Sequence, residues 1–306
     1  MTQNNARYLI GVDGGGTGCR AAVADPSGRM IGQGAAGPAN ATTDLAQAIA
    51  NVAAAVMAAI KDAGLAPAVL HDAVAHIGLA GVLGPETGTE ITTALSSQIA
   101  LPPQGTIVSD DCVTSLAGAL GPRDGVLLAI GTGALLAVRR AGDIRRIGGW
   151  GLNLSDHGSG AWLGRALLEH VLLVVDGLAE GSDLTATVLA EFGNDPARIV
   201  DFATRARPAE YAGYAMGIVA AETTGDAVAK LLMQRGADHL IRALRVLRLG
   251  GGDVLCLGGG LGPHYAAFLP QEARDRHVPL AGTALDGALA LARDRRDQAA
   301  KKRPLR

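Results

Sequence analysis

Three cysteines stand in 306 residues, at positions 19, 112 and 256. Isolated, odd in number and without C-x-x-C spacing, they exclude a disulfide framework and a cysteine zinc site, and a reducing cytosol is the expected compartment. The seven histidines are scattered, with no H-E-x-x-H. Net charge is also scarce, at −2, which argues against a nucleic-acid partner recruited by overall charge. The one basic cluster, residues 293–306, contains Asp294 and Asp297 and is expected to be a solvated helix end and tail. No uninterrupted apolar run reaches membrane-spanning length; Ala166 to Val175 is cut by Glu169 and His170. Residues 1–7 are polar and the apolar run after them is short, so no signal peptide is expected. No Gly-Lys pair occurs anywhere, which excludes a P-loop.

The chain is 48% hydrophobic and 18% charged, with 43 glycines, a globular composition long enough for two domains. It is organised around Ile10-Gly11-Val12-Asp13-Gly14-Gly15-Gly16-Thr17. Tyr8 to Val12 reads as a buried strand, and Ala21 to Ala24 as the return strand of a hairpin. Glycines in such a turn let backbone N–H groups approach a phosphate, and an acid ending the strand can hold Mg²⁺, directly or through waters. The dinucleotide fingerprint fits worse, because position 19 is cysteine and a strand follows. A plain tight turn is the bland alternative, weakened by Asp13, since an acid just inside an apolar strand needs a partner.

Beyond the hairpin, Met30 to Gly34 reads as a strand. Thr43 or Asp44 can cap a helix carrying Leu45, Ile49, Val52, Val56 and Ile60, closed by Gly64. Val74 to Leu79 is a strand, Glu86 to Ile99 a helix, Thr106 to Val108 a strand running into Asp110-Asp111, and Val113 to Leu120 a short helix. Near residue 125 the pattern restarts: Gly125 to Ile130, the turn Gly131-Thr132-Gly133, then Leu135 to Arg139 and Ile144 to Ile147. This internal echo suggests two related domains. A largely helical region spans residues 158–249, with Asp226 to Leu247 as its longest piece and Met216, Met233 and the leucines expected in the core. Val254 to Leu257 is a strand ending in Gly258-Gly259-Gly260, and the last helix runs from Thr283 to Arg296. Three glycine turns at strand ends would let a nucleotide be gripped from both sides of a cleft.

Gly11 to Thr17 resembles the first phosphate motif of the sugar kinase/Hsp70/actin superfamily, Leu128 to Gly133 the second, and Val254 to Leu261 its adenosine motif. Within that superfamily the chain is most similar to the N-acetylglucosamine/glucosamine kinase group, filed with the BadF/BadG/BcrA/BcrD ATPases. The sharpest match is Gly148-Gly149-Trp150-Gly151, followed by Asp156-His157-Gly158-Ser159 and Trp162. The resemblance implies an α/β fold of two actin-like (ribonuclease H-like) domains with a nucleotide and sugar cleft between them. Residues 5–117 plus the helix 284–300 would form one domain, and residues 118–283, with a helical insertion, the other. It implies ATP and Mg²⁺ as cofactors, an amino sugar as partner, and a homodimer.

Residue by residue, it implies phosphate and nucleotide contacts from Gly14, Gly15, Gly16, Thr17, Gly131, Thr132, Gly133, Gly258, Gly259 and Gly260, and water-mediated Mg²⁺ binding by Asp13. It implies sugar contacts from Asn40, Gly149, Trp150, Gly151 and Asp156, and a catalytic role for Asp111, which would orient the sugar 6-hydroxyl and take its proton. Asp110 and Asp111 can instead cap the following helix, or divide the two tasks; Trp150 can equally be a core aromatic. Two departures stand out: Ala134 replaces a serine beside the phosphates, and His157 a glutamate on the sugar side. Domain closure is expected to hinge near residues 117–125 and Gly282. Two rivals stay open: an ATPase activator using cysteines to hold an iron–sulfur cluster, and a non-catalytic sugar sensor, although no helix-turn-helix is expected ahead of Tyr8. A ROK-type zinc glucokinase is disfavoured because its cysteine cluster is missing.

Overall fold

A computed structural model describes residues 7–301. The chain divides into two compact units: residues up to Pro122 together with those from Leu280 onward, and Arg123–Pro279.

In the first unit, strands β1 (Leu9–Gly14), β2 (Cys19–Ala24) and β3 (Met30–Ala36) form an antiparallel meander. Helix α1 (Leu45–Asp62) follows; Asp44 caps it by accepting from the Gln47 N–H at 2.9 Å. Strand β4 (Val74–Leu79), helix α2 (Pro85–Ile99), strand β5 (Thr106–Asp110) and helix α3 (Asp111–Leu120) complete the run. The sheet order is β3-β2-β1-β4-β5, with β1, β4 and β5 parallel. Period-two alternation sorts the side chains. Ile10, Val12, Ala21 and Val23 pack on Val52, Val56 and Ile60 of α1, while Leu9, Ala22 and Ala24 pack on Leu285, Leu289 and Ala292 of the C-terminal helix. Gly11 lets that helix lie close: a Cβ there would stand 2.9 Å from the Leu289 nitrogen. By length and composition α1 could cross a bilayer, but its apolar face, Ile49 through Ile60, is buried on the sheet.

The second unit begins with β6 (Gly125–Ile130), β7 (Ala134–Arg140) and β8 (Asp143–Ile147), again an antiparallel meander. A helical block follows: α4 (Gly160–Val175), α5 (Asp183–Glu191), α6 (Pro196–Ala203), α7 (Pro208–Ala212), α8 (Ala215–Thr223) and α9 (Ala227–Val246). Strand β9 (Val254–Gly258) then joins the sheet parallel to β6, in the order β8-β7-β6-β9. Val126, Leu128 and Ile130 share one core with Leu163 and Leu167 of α4 and Leu232, Met233 and Leu240 of α9. Short α10 (Gln271–Asp275) leads back to the first unit's α11 (Ala284–Lys301).

Two core expectations fail. Met216 is 54% and Leu231 47% exposed, because each lies on the outer side of its helix while its neighbours Ala215 and Leu232 face in. The basic end of α11 is less solvated than expected: Arg293, Arg295 and Arg296 donate to the carbonyls of Gly28, Gln104 and Pro26. The remainder of that cluster, residues 302–306, and the polar residues 1–6 lie outside the described residues.

Candidate active site

Parallel pairing aligns the carboxyl ends of three strands in the first unit: Gly14 lies opposite Leu79, and Leu79 opposite Asp110. The outer two of these strands are about 10 Å apart, two strand spacings. Asp13, Asn40 and Asp110–Asp111 therefore meet at one sheet edge, since Asn40 bridges to Ala80 directly after β4. Asp13 forms a 2.6 Å ion pair with Arg20, its cross-strand neighbour. The Asn40 side-chain oxygen accepts from the N–H groups of Thr42 and Thr43, which orients its amide. Asp110 caps α3 by accepting from the Cys112 N–H at 3.0 Å, and Asp111, partly buried, is the first helical residue. Of the two alternatives for this pair of acids, Asp110 thus takes the cap.

In the second unit, Gly131-Thr132-Gly133 closes on itself through a 2.9 Å bond from the Gly131 N–H to the Gly133 carbonyl. Its other carbonyls receive the first amides of α4: Gly160 N–H donates to Gly131 and Ala161 N–H to Thr132. Leu261 N–H, just past the third glycine turn, donates to Ile130 at 2.9 Å, so these two turns lie side by side. Asp156 has a left-handed backbone (φ +58°), and its Oδ1 is buried with no hydrogen-bond partner. Burial holds its carboxyl above the usual range, against the Gly151 backbone and His157, which lower it. The neighbouring His157 Nδ1 is likewise buried and unpartnered, and the ring stacks on His239 at 4.7 Å. Burial, then the charges of His157 and Arg242, lower the His239 pKa. Orphaned buried polar atoms are rare in folded proteins, and two of them side by side make this a candidate ligand position.

Each glycine turn contains one glycine the fold demands or crowds and one it leaves free. A Cβ on Gly14 would collide with the Leu79 side chain, one on Gly133 would stand 3.1 Å from Asp156 Oδ2, and one on Gly259 would strike the Ile130 carbonyl. At Gly16, Gly131 and Gly260 a Cβ would meet nothing within 4 Å. The Gly148-Gly149-Trp150-Gly151 segment is a loop with all three glycines at positive φ, a conformation glycine adopts without steric cost. Trp150 is 66% exposed, with the Arg146 guanidinium 5.8 Å from its ring centre, so it is not a core aromatic. The buried tryptophan is Trp162, in the first turn of α4, its ring centre 6.0 Å from that of His157.

A family model matches residues 10–268, spanning both sheets and all three glycine turns. This chain belongs to the BadF/BadG/BcrA/BcrD ATPase family. It is 30% identical over 285 residues to the glucosamine kinase GspK of Vibrio cholerae, covering 93% of this chain and 95% of that protein. A solved structure of a candidate N-acetylglucosamine kinase from Chromobacterium violaceum superposes with a TM-score of 0.82 at 31% identity, covering 94% of this chain and 99% of the other. A ROK family glucokinase from Streptomyces griseus shares the fold alone, with a TM-score of 0.57 at 20% identity over 94% of this chain and 99% of that one. The two-domain α/β architecture expected from the motifs is that of these relatives.

Two features of the candidate site are not legible in the sequence. The apolar run that begins at Ala21 leaves Arg20 outside the strand; β2 begins at Cys19, which puts Arg20 in register with Asp13. His239 lies on a long helix and no sequence spacing links it to His157. Among the described residues no group of three or more His, Cys, Asp or Glu side chains could hold a metal ion. A single carboxylate at a glycine turn suits Mg²⁺, which keeps several waters and takes much of its coordination from phosphate.

Proposed function

We propose that this protein is an ATP-dependent kinase that phosphorylates glucosamine or N-acetylglucosamine at the 6-hydroxyl. The observation that carries the reading is the free glycine in each turn: Gly16, Gly131 and Gly260 lack side chains where the fold itself leaves room for one. Backbone approach by a ligand accounts for this, and the relatives are named amino-sugar kinases.

Gly14 to Thr17 and Thr132-Gly133 bind phosphate oxygens through backbone N–H and hydroxyl groups, with Gly131, its own N–H held by the Gly133 carbonyl, leaving room for the phosphate to approach; Gly258 to Gly260 accept the adenosine. Asp13 orders waters around Mg²⁺, and Arg20 balances the Asp13 charge. Bound there, the metal supplies charge neutralisation at the phosphates. Asn40 and Asp156 bind sugar hydroxyls, with the Gly149-Trp150-Gly151 loop bordering the ring. Asp111 accepts a hydrogen bond from the 6-hydroxyl. As the O6–Pγ bond forms and the bond from Pγ to the bridging oxygen breaks, the hydroxyl proton passes to Asp111 and ADP leaves. Flexing near residues 117–125 and Gly282, a cytosolic setting and a homodimer belong to the same reading. The activator alternative is disfavoured by Cys19 and Cys256, both buried beneath their strands rather than presented for a cluster.

The test is Mg²⁺-dependent ADP release against glucosamine, N-acetylglucosamine, glucose, N-acetylmannosamine and no sugar, with Asp111→Asn alongside. Stimulation by one amino sugar, lost in Asp111→Asn while ATP still binds, supports the reading and names the substrate; phosphate position follows from NMR of the product. Equal ATP hydrolysis with and without every sugar overturns it.

A further inference from the structure

His76 lies on β4, 5% exposed, with no place in the site just described. Its register partner on β5 is Ile107, and Gly78 pairs with Ser109. His76 and Ser109 are therefore diagonal neighbours on one face of the sheet. That face is the one covered by α3, because a Cβ on Gly78 would run into the Thr114 side chain. The His76 Nε2 stands 3.0 Å from the Ser109 Oγ. The Ser109 hydroxyl donates in turn to the Asp110 carbonyl at 3.1 Å. With its proton committed there, Ser109 accepts from His76, which fixes the ring as the Nε2–H tautomer. Burial, then the charge of Arg295 on α11, pushes the imidazole pKa down to about 4, so the ring is neutral at physiological pH.

We infer that His76 is a positioning residue: through Ser109 it holds the strand-to-helix corner at Asp110 and so sets the aim of Asp111. The chain of bonds runs His76 Nε2–H to Ser109 Oγ, Ser109 Oγ–H to the Asp110 carbonyl, and the Cys112 N–H to the Asp110 carboxylate. It pins both sides of Asp110, the residue directly before the proposed acceptor of the proton. A hydrogen-bonded network of this kind is worth most when every member is satisfied. The catalytic part of this inference rests on the kinase reading; the mechanical part, that His76 holds the corner, does not.

The experiment uses the full chain with His76→Leu, His76→Gln, Ser109→Ala and the double variant His76→Leu/Ser109→Ala. Gln carries an amide N–H at about the reach of Nε2. The expected result is a fall in kcat of about tenfold for His76→Leu, the loss of roughly one hydrogen bond's net worth. KM for sugar and ATP stays within about twofold. His76→Gln recovers most of the rate. Ser109→Ala loses as much as His76→Leu, and the double variant loses no more than either, because all three cut the same chain. A change in KM with kcat intact, multiplying losses, or no rescue by Gln overturns the positioning role. Should His76→Leu not fold, His76→Gln and Ser109→Ala decide alone: a full rate in Ser109→Ala overturns the inference. Hydrogen exchange at the Cys112 amide reads the corner without any turnover. His76→Leu should quicken it by about tenfold while amides later in α3 are unchanged, and unchanged exchange at Cys112 overturns the mechanical part. If the wild-type chain phosphorylates no sugar, the kinase reading fails while this exchange result still decides whether His76 holds the corner.

Discussion

The two units use one device, a strand, a glycine turn and a return strand, and furnish it in opposite ways. In the first, the polar groups at the sheet edge are occupied: Asp13 by Arg20, Asp110 by the Cys112 amide, the Asn40 oxygen by two backbone amides. In the second, the turn itself is bound up by Gly160, Ala161 and Leu261, while Asp156 Oδ1 and His157 Nδ1 are left without partners. One edge is assembled before any ligand arrives; the other carries an unmet demand that a ligand can satisfy. On the proposed kinase reading, the first edge would aim Asp111 and gain from preorganisation, and the second would select a sugar through buried groups left costly without the right hydroxyl.

The largest effect that would break this contrast is catalytic. Asp111→Asn should reduce sugar-dependent ADP release by about 10²- to 10⁴-fold with ATP affinity unchanged; an equal loss of ATP binding would place Asp111 with the nucleotide instead. Next comes the second unit's bound-up turn. Gly259→Ala should cost about 3 kcal/mol in urea unfolding, since φ is +73° and the new Cβ would meet the Ile130 backbone.

The buried histidine of the first unit gives a pH signature. Its folded pKa of about 4 lies below the 6.5 of an unperturbed imidazole, so the unfolded chain binds the proton first. Stability should fall as pH drops from about 6.5 to 4, by up to about 3 kcal/mol, and level off below that. The positive Arg295 on α11 disfavours the protonated ring; His76→Gln should flatten this part of the unfolding-versus-pH curve.

Gly16→Ala sharpens the contrast from the other side. Stability should move by less than about 0.5 kcal/mol, while ATP binding, measured by calorimetry, weakens about tenfold. The smallest effect belongs to Asp156→Asn, which removes a partly buried carboxylate from an unsatisfied position. Near pH 7 it should raise apo stability by about 0.5–1 kcal/mol while weakening sugar binding. Because the Asp156 pKa is raised, the wild-type penalty should shrink as pH falls through that raised value, and the advantage of Asn should shrink with it.

The strands and helices of both units could be read from the sequence because period-two and period-3.6 patterns end at clear glycine and cap signals, as at Asp44, Gly64 and Gly81. Asp13 could be singled out because an acid in a buried strand is anomalous in itself. Two adjacent acids ahead of a helix signal a cap without saying which of them provides it; Asp110 does. What could not be read depends on register and on distant packing. The Asp13–Arg20 pair needs the exact first residue of β2. The His157–His239 stack and the His76–Ser109 bond join residues 82 and 33 positions apart, which no local pattern encodes. Trp150 stays open in the sequence between a core aromatic and a sugar contact, because composition favours the interior for a tryptophan; the structure leaves it exposed in a loop of left-handed glycines.

The return of α11 to the first sheet has a consequence for how the protein is made. Leu285, Leu289 and Ala292 supply one wall of the core around Leu9, Ala22 and Ala24, so the opening strands emerge from the ribosome long before their cover exists. Residues 123–279 are contiguous and can fold during synthesis. The earlier segment must wait for translation of everything between β5 and α11, on the order of ten to forty seconds at bacterial to eukaryotic elongation speeds. During that interval the face of β1 and β2 lacks its wall, and early termination before residue 284 should leave the first unit aggregation-prone.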